Sequence, residues 1–228
     1  MDTIRLVVCL ALSLPCGVLI SRVSATFVTE RPLFQSTAVP RIPPRTLAIV
    51  GGTAAMFALS VWRFDSAGWA ELTAYLLGFA VLLLASVIDV TEYRLPDVVV
   101  IPAFTVGIAL VVTVSLVDGS SERIRFAFVG AAIAFGVLLI AHLISPQGMG
   151  FGDVKFAALL GLMAGWQGAS IPDVLLLVLW LFLIGFSLGT VGGLVLMAIR
   201  GRNRPFPFGP FLALGTFLTI MLSGSLVG

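Results

Sequence analysis

The stretch LTAYLLGFAVLLLASVIDVTEYRLPD, Leu72–Asp97, decides how the chain is read. From Leu72 to Ile88 it carries no charged residue, and about 17–25 predominantly apolar residues are enough for one helix to cross a bilayer core. Asp89 follows Ile88 directly, with no polar buffer between. Pro96 then stops any helix, because its ring lacks an N–H and clashes with the preceding turn. The stretch therefore reads as a membrane-spanning helix that runs straight into a carboxylate.

The same pattern repeats on both sides. Apolar runs at Ile4–Ile20, Thr46–Trp62, Leu72–Ile88, Val98–Val117, Phe126–Ile144, Phe156–Trp166, Val174–Ile199 and Phe211–Val227 are separated by charges or by Gly/Pro clusters. The sixth is too short for an ordinary crossing. It is tilted, extended back through Asp153, or only partly spanning. The first contains Pro15 and has no clean small-residue cleavage site before the arginines that follow, so it reads as a transmembrane helix and not as a signal peptide. The predicted fold class is an all-α polytopic membrane protein with about eight transmembrane helices, forming a single integral-membrane domain over residues 1–228. Ser21–Arg45, with four prolines and four arginines, reads as a short basic cytoplasmic loop.

Composition supports this reading and excludes others. Of the 228 residues, 59% are hydrophobic and 11% charged, against roughly 25% charged in an ordinary soluble domain. Mean hydropathy is +1.14. A soluble enzyme, a disordered chain and a nucleic-acid binder are all excluded. A net charge of +2 implies no anionic partner, and membrane lipids are the expected surroundings. Cys9 and Cys16 both lie in the first apolar run and read as small core residues. The one histidine, His142, sits inside LLIAHLIS, which leaves no histidine set for a zinc site and no separate histidine for a Ser-His-Asp or Cys-His scheme. No metal or cofactor is expected.

Positive charges set the expected orientation. With eight crossings, the loops after helices 1, 3, 5 and 7 carry Arg22, Arg31, Arg41, Arg45, Arg94, Lys155, Arg200, Arg202 and Arg204. The opposite side carries Arg5, Arg63, Arg123 and Arg125. The first side is therefore expected to be cytoplasmic, with both termini extracytoplasmic.

Ionised groups at membrane depth cost roughly 2.5–3.5 kcal/mol each on insertion scales, so each needs a reason. Asp2, Glu30, Asp65, Glu71, Asp118, Glu122 and Asp173 lie in loops or at termini, where solvation explains them. Asp89, Glu92, Asp97 and Asp153 remain. Asp89 is either an interfacial carboxylate marking a helix end or a reactive group, and Asp97 is placed to cap the helix that starts at Val98. The second segment, GMGFGDVKFAALLG (Gly148–Gly161), alternates three glycines before Asp153. Glycines leave no side chains to hold a substrate chain away. Asp153 also suits a helix N-cap. Lys155, the only lysine in the chain, either snorkels to the surface or sets the field at Asp153. Two carboxyls on one side of a membrane protein suggest aspartic protease chemistry, because a close pair shares one proton and can activate a water.

These residues resemble the type 4 prepilin peptidases, polytopic aspartic proteases of bacterial pilus and type II secretion systems. The first family motif is an Asp followed six and seven residues later by Leu-Pro, then Asp or Asn. Asp89, Leu95, Pro96 and Asp97 match it in register. The second, G-x-G-D-x-K, is matched by Gly150, Gly152, Asp153 and Lys155. A third, Pro-Phe-Gly-Pro before the last helix, is matched by Pro207, Phe208, Gly209 and Pro210. The stretch GVLISRV, Gly17–Val23, resembles the family more weakly.

The resemblance implies a catalytic pair, Asp89 and Asp153, with Gly150, Gly152 and Lys155 supporting the active-site loop. It implies a bacterial plasma-membrane enzyme facing the cytoplasm, and a substrate that is a prepilin or pseudopilin cut after its short basic leader. Many members carry a four-cysteine zinc-binding insertion after the first helix, associated with methylating the new N-terminus. Here that position holds Ser21–Arg45 without a cysteine, which leaves N-methyltransferase activity doubtful. Presenilin-like proteases share G-x-G-D but pair it with Tyr-Asp and Pro-Ala-Leu, whereas here Ile88 precedes Asp89. A transporter relaying protons through its aspartates is the alternative from another class. The sequence leaves the oligomeric state open.

Overall fold

The computed structural model describes residues 3–29, 43–146, 149–200 and 206–227. All regular structure among them is helical: α1 (Thr3–Thr29), α2 (Pro44–Arg63), α3 (Trp69–Glu92), α4 (Asp97–Val117), α5 (Glu122–Ile144), α6 (Phe151–Gly165), α7 (Ile171–Arg200) and α8 (Gly209–Leu226). Seven of these are long and apolar enough to cross a membrane, and α6 is the exception. The eight apolar runs thus become eight helices, the sixth of them short, at 15 residues. It does extend back through Asp153.

The basic loop differs from expectation at both ends. Ser21–Thr29, read as its start, continues α1. The hydroxyls there are satisfied within the helix, Ser24 Oγ donating to the Ser21 carbonyl at 3.1 Å and Thr26 Oγ1 to that of Val23 at 2.7 Å. Polarity at Arg22 marks the end of the apolar run, while the hydrogen-bonded ladder continues. Ser21 Oγ and Thr46 Oγ1 lie 2.8 Å apart, fastening this end of α1 to the start of α2. At the other end of the loop Pro44 and Arg45, read as part of it, begin α2, where proline suits the first helical turn. Residues 30–42, with Glu30, Arg31 and Arg41, lie outside the described residues, as do Asp2, Gly148, Arg202 and Arg204.

The chain divides into two compact units, Met1–Glu92 and Tyr93–Gly228. In the first, α1, α2 and α3 all pack on one another. A Cβ at Gly17 would stand 2.8 Å from the Val50 Cα, so α1 and α2 touch backbone to backbone there.

In the second unit, α6 packs against α4, α5, α7 and α8. Every residue from Leu159 to Gly165 is buried. Its closest neighbour is α5. A Cβ at Gly161 would overlap the Gly130 carbonyl oxygen and lie 2.5 Å from the Ala134 Cβ, and one at Gly165 would lie 2.6 Å from the Phe126 carbonyl oxygen. Small residues let backbones approach like this, which is how membrane helices gain packing energy without a hydrophobic difference between protein and lipid.

Polar side chains tie both ends of α6 to α4. At one end Lys155 Nζ donates to both carboxylate oxygens of Asp97 at 2.7 Å. At the other, Trp166 Nε1 donates to Ser115 Oγ at 2.8 Å, and Arg123 Nε donates to the Trp166 carbonyl at 3.1 Å. Asp97 to Ser115 is about 27 Å of helix and Lys155 to Trp166 about 17 Å. Long side chains at both ends of α6 supply the difference. The short helix is thus tied to both ends of α4 by the side chains that flank it.

The α5–α6 contact yields a paired expectation. Gly161→Ala should lower stability by about 1–3 kcal/mol through overpacking. Gly136→Ala, on α5 with nothing within 4 Å of its added Cβ, should be neutral or stabilising by up to about 1 kcal/mol through helix propensity. Thermal unfolding of both variants in detergent separates them. Equal midpoints would refute the tight contact.

Candidate active site

Asp89 lies in the last turn of α3 and is buried, with 4% of its surface exposed. The helix stops three residues later. Tyr93 has φ +55°, the left-handed conformation that commonly ends helices. Glycine is the usual occupant, and a non-glycine side chain there costs of order 1–3 kcal/mol.

Beyond it, Leu95 is buried and Pro96 occupies the position before α4. Asp97 is the first residue of α4 and makes no cap. The expected capping role is thus replaced: its carboxylate receives Lys155 instead.

The second motif forms the start of α6. Gly150 is the N-cap in extended conformation, and the Asp153 N–H donates to the Gly150 carbonyl at 3.1 Å. Asp153 sits in the first helical turn, partly exposed. Aligned peptide dipoles favour a carboxylate at this end of a helix.

The two glycines differ in what they permit. A Cβ at Gly150 would make only ordinary contact, 3.6 Å from Asp153 Oδ2. A Cβ at Gly152 would meet the Leu95 carbonyl oxygen at 3.0 Å and the Leu95 Cβ at 3.2 Å. Gly152 is therefore the position where the first turn of α6 lies against Leu95.

Lys155 closes the arrangement. Its ammonium bridges to Asp97 and lies 5.1 Å from the centre of the Phe151 ring. The second unit thus brings together Leu95 and Asp97 of the first motif with Gly150, Gly152, Asp153 and Lys155 of the second. Asp89 belongs to the first unit.

The third motif serves packing. Phe208 stacks on Phe186 at 5.5 Å, and a Cβ at Gly189 would stand 2.9 Å from the Phe208 ring. Phe206 stacks on Phe211 at 5.2 Å. These rings seat the start of α8 on the glycine face of α7.

Beside the site, α4 and α5 enclose an apolar cleft of about 470 Å³. Val100, Phe104, Phe128 and Phe135 line it, with Lys155 and Ala158 contributed by α6. Among the described residues no group of three His, Cys, Asp or Glu could hold a metal ion.

A model of the type IV leader peptidase family matches residues 76–194, just over half of the chain and the part that holds both aspartate motifs. The chain belongs to the type IV leader peptidase family. It is 32% identical over 172 residues to a prepilin leader peptidase/N-methyltransferase of Aeromonas hydrophila, covering 75% of this chain and 57% of the relative. A protein of the same name from Xanthomonas campestris is 31% identical over 177 residues, 77% of this chain and 58% of the relative. A third, from Pseudomonas aeruginosa, is 28% identical over 171 residues, 74% of this chain and 55% of the relative. The chain thus spans little more than half the length of these relatives. No solved structure matches it. The Pro-Phe-Gly-Pro segment of this leader-peptidase family member lies beyond the matched residues.

Two contacts of this site go beyond what the motifs predict. Asp97 matches the first motif, but its pairing is with Lys155, and the signal for it is that a lone lysine calls for a carboxylate. His142, alone in an apolar run, has its Nδ1 2.8 Å from the Met149 carbonyl oxygen. Gly152→Ala should cost about 1–3 kcal/mol of stability by pushing against Leu95. Gly150→Ala should stay within about 0.5–1 kcal/mol. Denaturation in detergent measures both, and equal losses would contradict the close approach at Gly152.

Proposed function

We propose that this protein is a membrane aspartic endopeptidase that removes the short basic leader of a prepilin or pseudopilin at the cytoplasmic face of the bacterial plasma membrane. The observation that carries the reading is the meeting, at one end of the second unit, of Leu95 and Asp97 with the G-x-G-D-x-K turn. The Leu-Pro-Asp end of the first motif and the second motif thereby share one structural feature, and the family register supports Asp89 and Asp153 as the proposed catalytic pair. The names of the relatives and the positive-charge pattern support the substrate and the side of the membrane.

In the proposed reaction the ionised carboxyl takes a proton from water, and the resulting hydroxide attacks the scissile carbonyl carbon. The protonated carboxyl gives its proton to the carbonyl oxygen. The tetrahedral adduct then collapses, the C–N bond breaks, and the leaving amine is protonated from the dyad. Asp153 lies at a helix N-terminus, which favours negative charge, and Asp89 in the last turn of a helix, which disfavours it. Asp153 is therefore assigned as base and Asp89 as proton donor in the resting enzyme. The proton belongs to the pair as a unit. The apolar cleft between α4 and α5 suits the hydrophobic segment that follows the cut. Aspartate chemistry of this kind needs no cofactor.

Asp89→Asn and Asp153→Asn should each lower prepilin cleavage by roughly 10²–10⁴-fold with membrane insertion unchanged, as loss of a general acid or base does. Co-expression with candidate prepilins and N-terminal sequencing of the products tests this. Retained cleavage in either variant would overturn the dyad, and solute uptake lost with cleavage intact would favour a transporter. Because the chain carries no cysteine after α1, the new N-terminus should be unmethylated. Intact-mass measurement of the product decides that point, and a product one methyl group heavier would refute it.

A further inference from the structure

His142 is the chain's one histidine and lies in the last turn of α5, half-buried. Its ring makes two contacts with the segment that starts α6. Nδ1 stands 2.8 Å from the Met149 carbonyl oxygen, and the imidazole packs against the Phe151 ring with centroids 5.4 Å apart at a 55° tilt. Met149 and Phe151 flank Gly150, whose carbonyl accepts the Asp153 N–H.

Glycine backbone is conformationally loose, and the turn carrying Asp153 holds two glycines. On the α4 side it is restrained by Leu95 against Gly152 and by Asp97 on Lys155. On the α5 side it is restrained by His142, through the Met149 carbonyl and the Phe151 ring. Removing these contacts would weaken the hold on that face of the turn, and a carboxylate acting on a water and a carbonyl must be held closely for efficient catalysis.

We propose that His142 is a positioning residue that fixes the glycine turn bearing Asp153, acting through the Met149 carbonyl and the Phe151 ring. A carbonyl oxygen only accepts hydrogen bonds, so Nδ1 carries the proton. The neutral ring is therefore held as the Nδ1–H tautomer. The catalytic consequence rests on the peptidase reading, whereas the tautomer does not.

Two measurements test it. Selective ¹⁵N-histidine labelling of the untagged protein in detergent gives one imidazole to observe. The Nδ1–H tautomer is expected for the neutral ring, and an Nε2–H tautomer overturns the proposal. In a prepilin cleavage assay, His142→Ala should lower kcat roughly ten-fold while KM changes less than about two-fold, because the turn is misplaced and not removed. His142→Asn places an amide N–H where Nδ1 stands and should restore most of kcat. Wild-type kcat in His142→Ala, or no recovery in His142→Asn, overturns the positioning role. If the wild-type chain cleaves no prepilin, the peptidase reading falls and the tautomer still decides the contact.

Discussion

The close approach of α5 and α6 is the contact on which the second unit depends. In lipid, two apolar helices gain little by hiding from their surroundings, so association rests on packing and polar contacts. Gly161 and Gly165 lie one turn apart on α6 and face Gly130 on α5. With no Cβ on any of the three, the backbones touch. That leaves α6 buried among four helices. A helix of 15 residues has few side chains with which to secure itself. Its axial position, and hence the depth of Asp153, follows from where these glycines meet.

The polar contacts at the two ends of α6 then act on a helix already placed. Lys155 and Asp97 remain 29% and 55% exposed as side chains, and exposed pairs of this kind contribute about 0–1 kcal/mol. Their importance is geometric. The pair holds the first turn of α6 to the first turn of α4, directly after the Leu95–Gly152 contact. The sequence allowed Lys155 either to reach for the surface or to act on Asp153. In the fold its ammonium is committed to the carboxylate of Asp97, 58 residues away in the chain.

Most of the fold was legible because membrane depth imposes a one-dimensional rule on the sequence. Each uncharged run had to become a helix, and each did. The boundaries were less legible, because the apolar run and the helix end for different reasons. Arg22 closes the apolar run at the first helix, while the backbone stays helical to Thr29 with the Ser24 and Thr26 hydroxyls bonded to its own carbonyls. The aspartates and glycines of the candidate site were legible through spacing, which survives translation into a helix start. The tethers were not. Asp97 with Lys155, Leu95 with Gly152 and His142 with Met149 are contacts between helix ends, and no local pattern encodes which ends meet. His142 lies in an apolar run and carries no visible sign of its role until Met149 is placed beside it.

The arginines on the minority side of the charge count have a structural explanation of the same kind. Arg5 Nη1 donates to the carbonyls of Asp65 and Ala67 at 3.0 and 2.8 Å, just past the end of α2, and its guanidinium lies 5.1 Å from the Trp69 ring centre. Arg123 donates to the carbonyl of Trp166, the C-cap of α6, and lies 4.8 Å from that ring. Helix C-termini present unpaired carbonyls and partial negative charge, and a guanidinium answers both. These two arginines are thus required where those helices end, whichever side of the membrane that is. Topological bias belongs to positive charge that is free of such demands. The same test removes Lys155, committed to Asp97, from the opposite side and Arg125, paired with Glu122, from this one, so local partners account for positive charge on both sides.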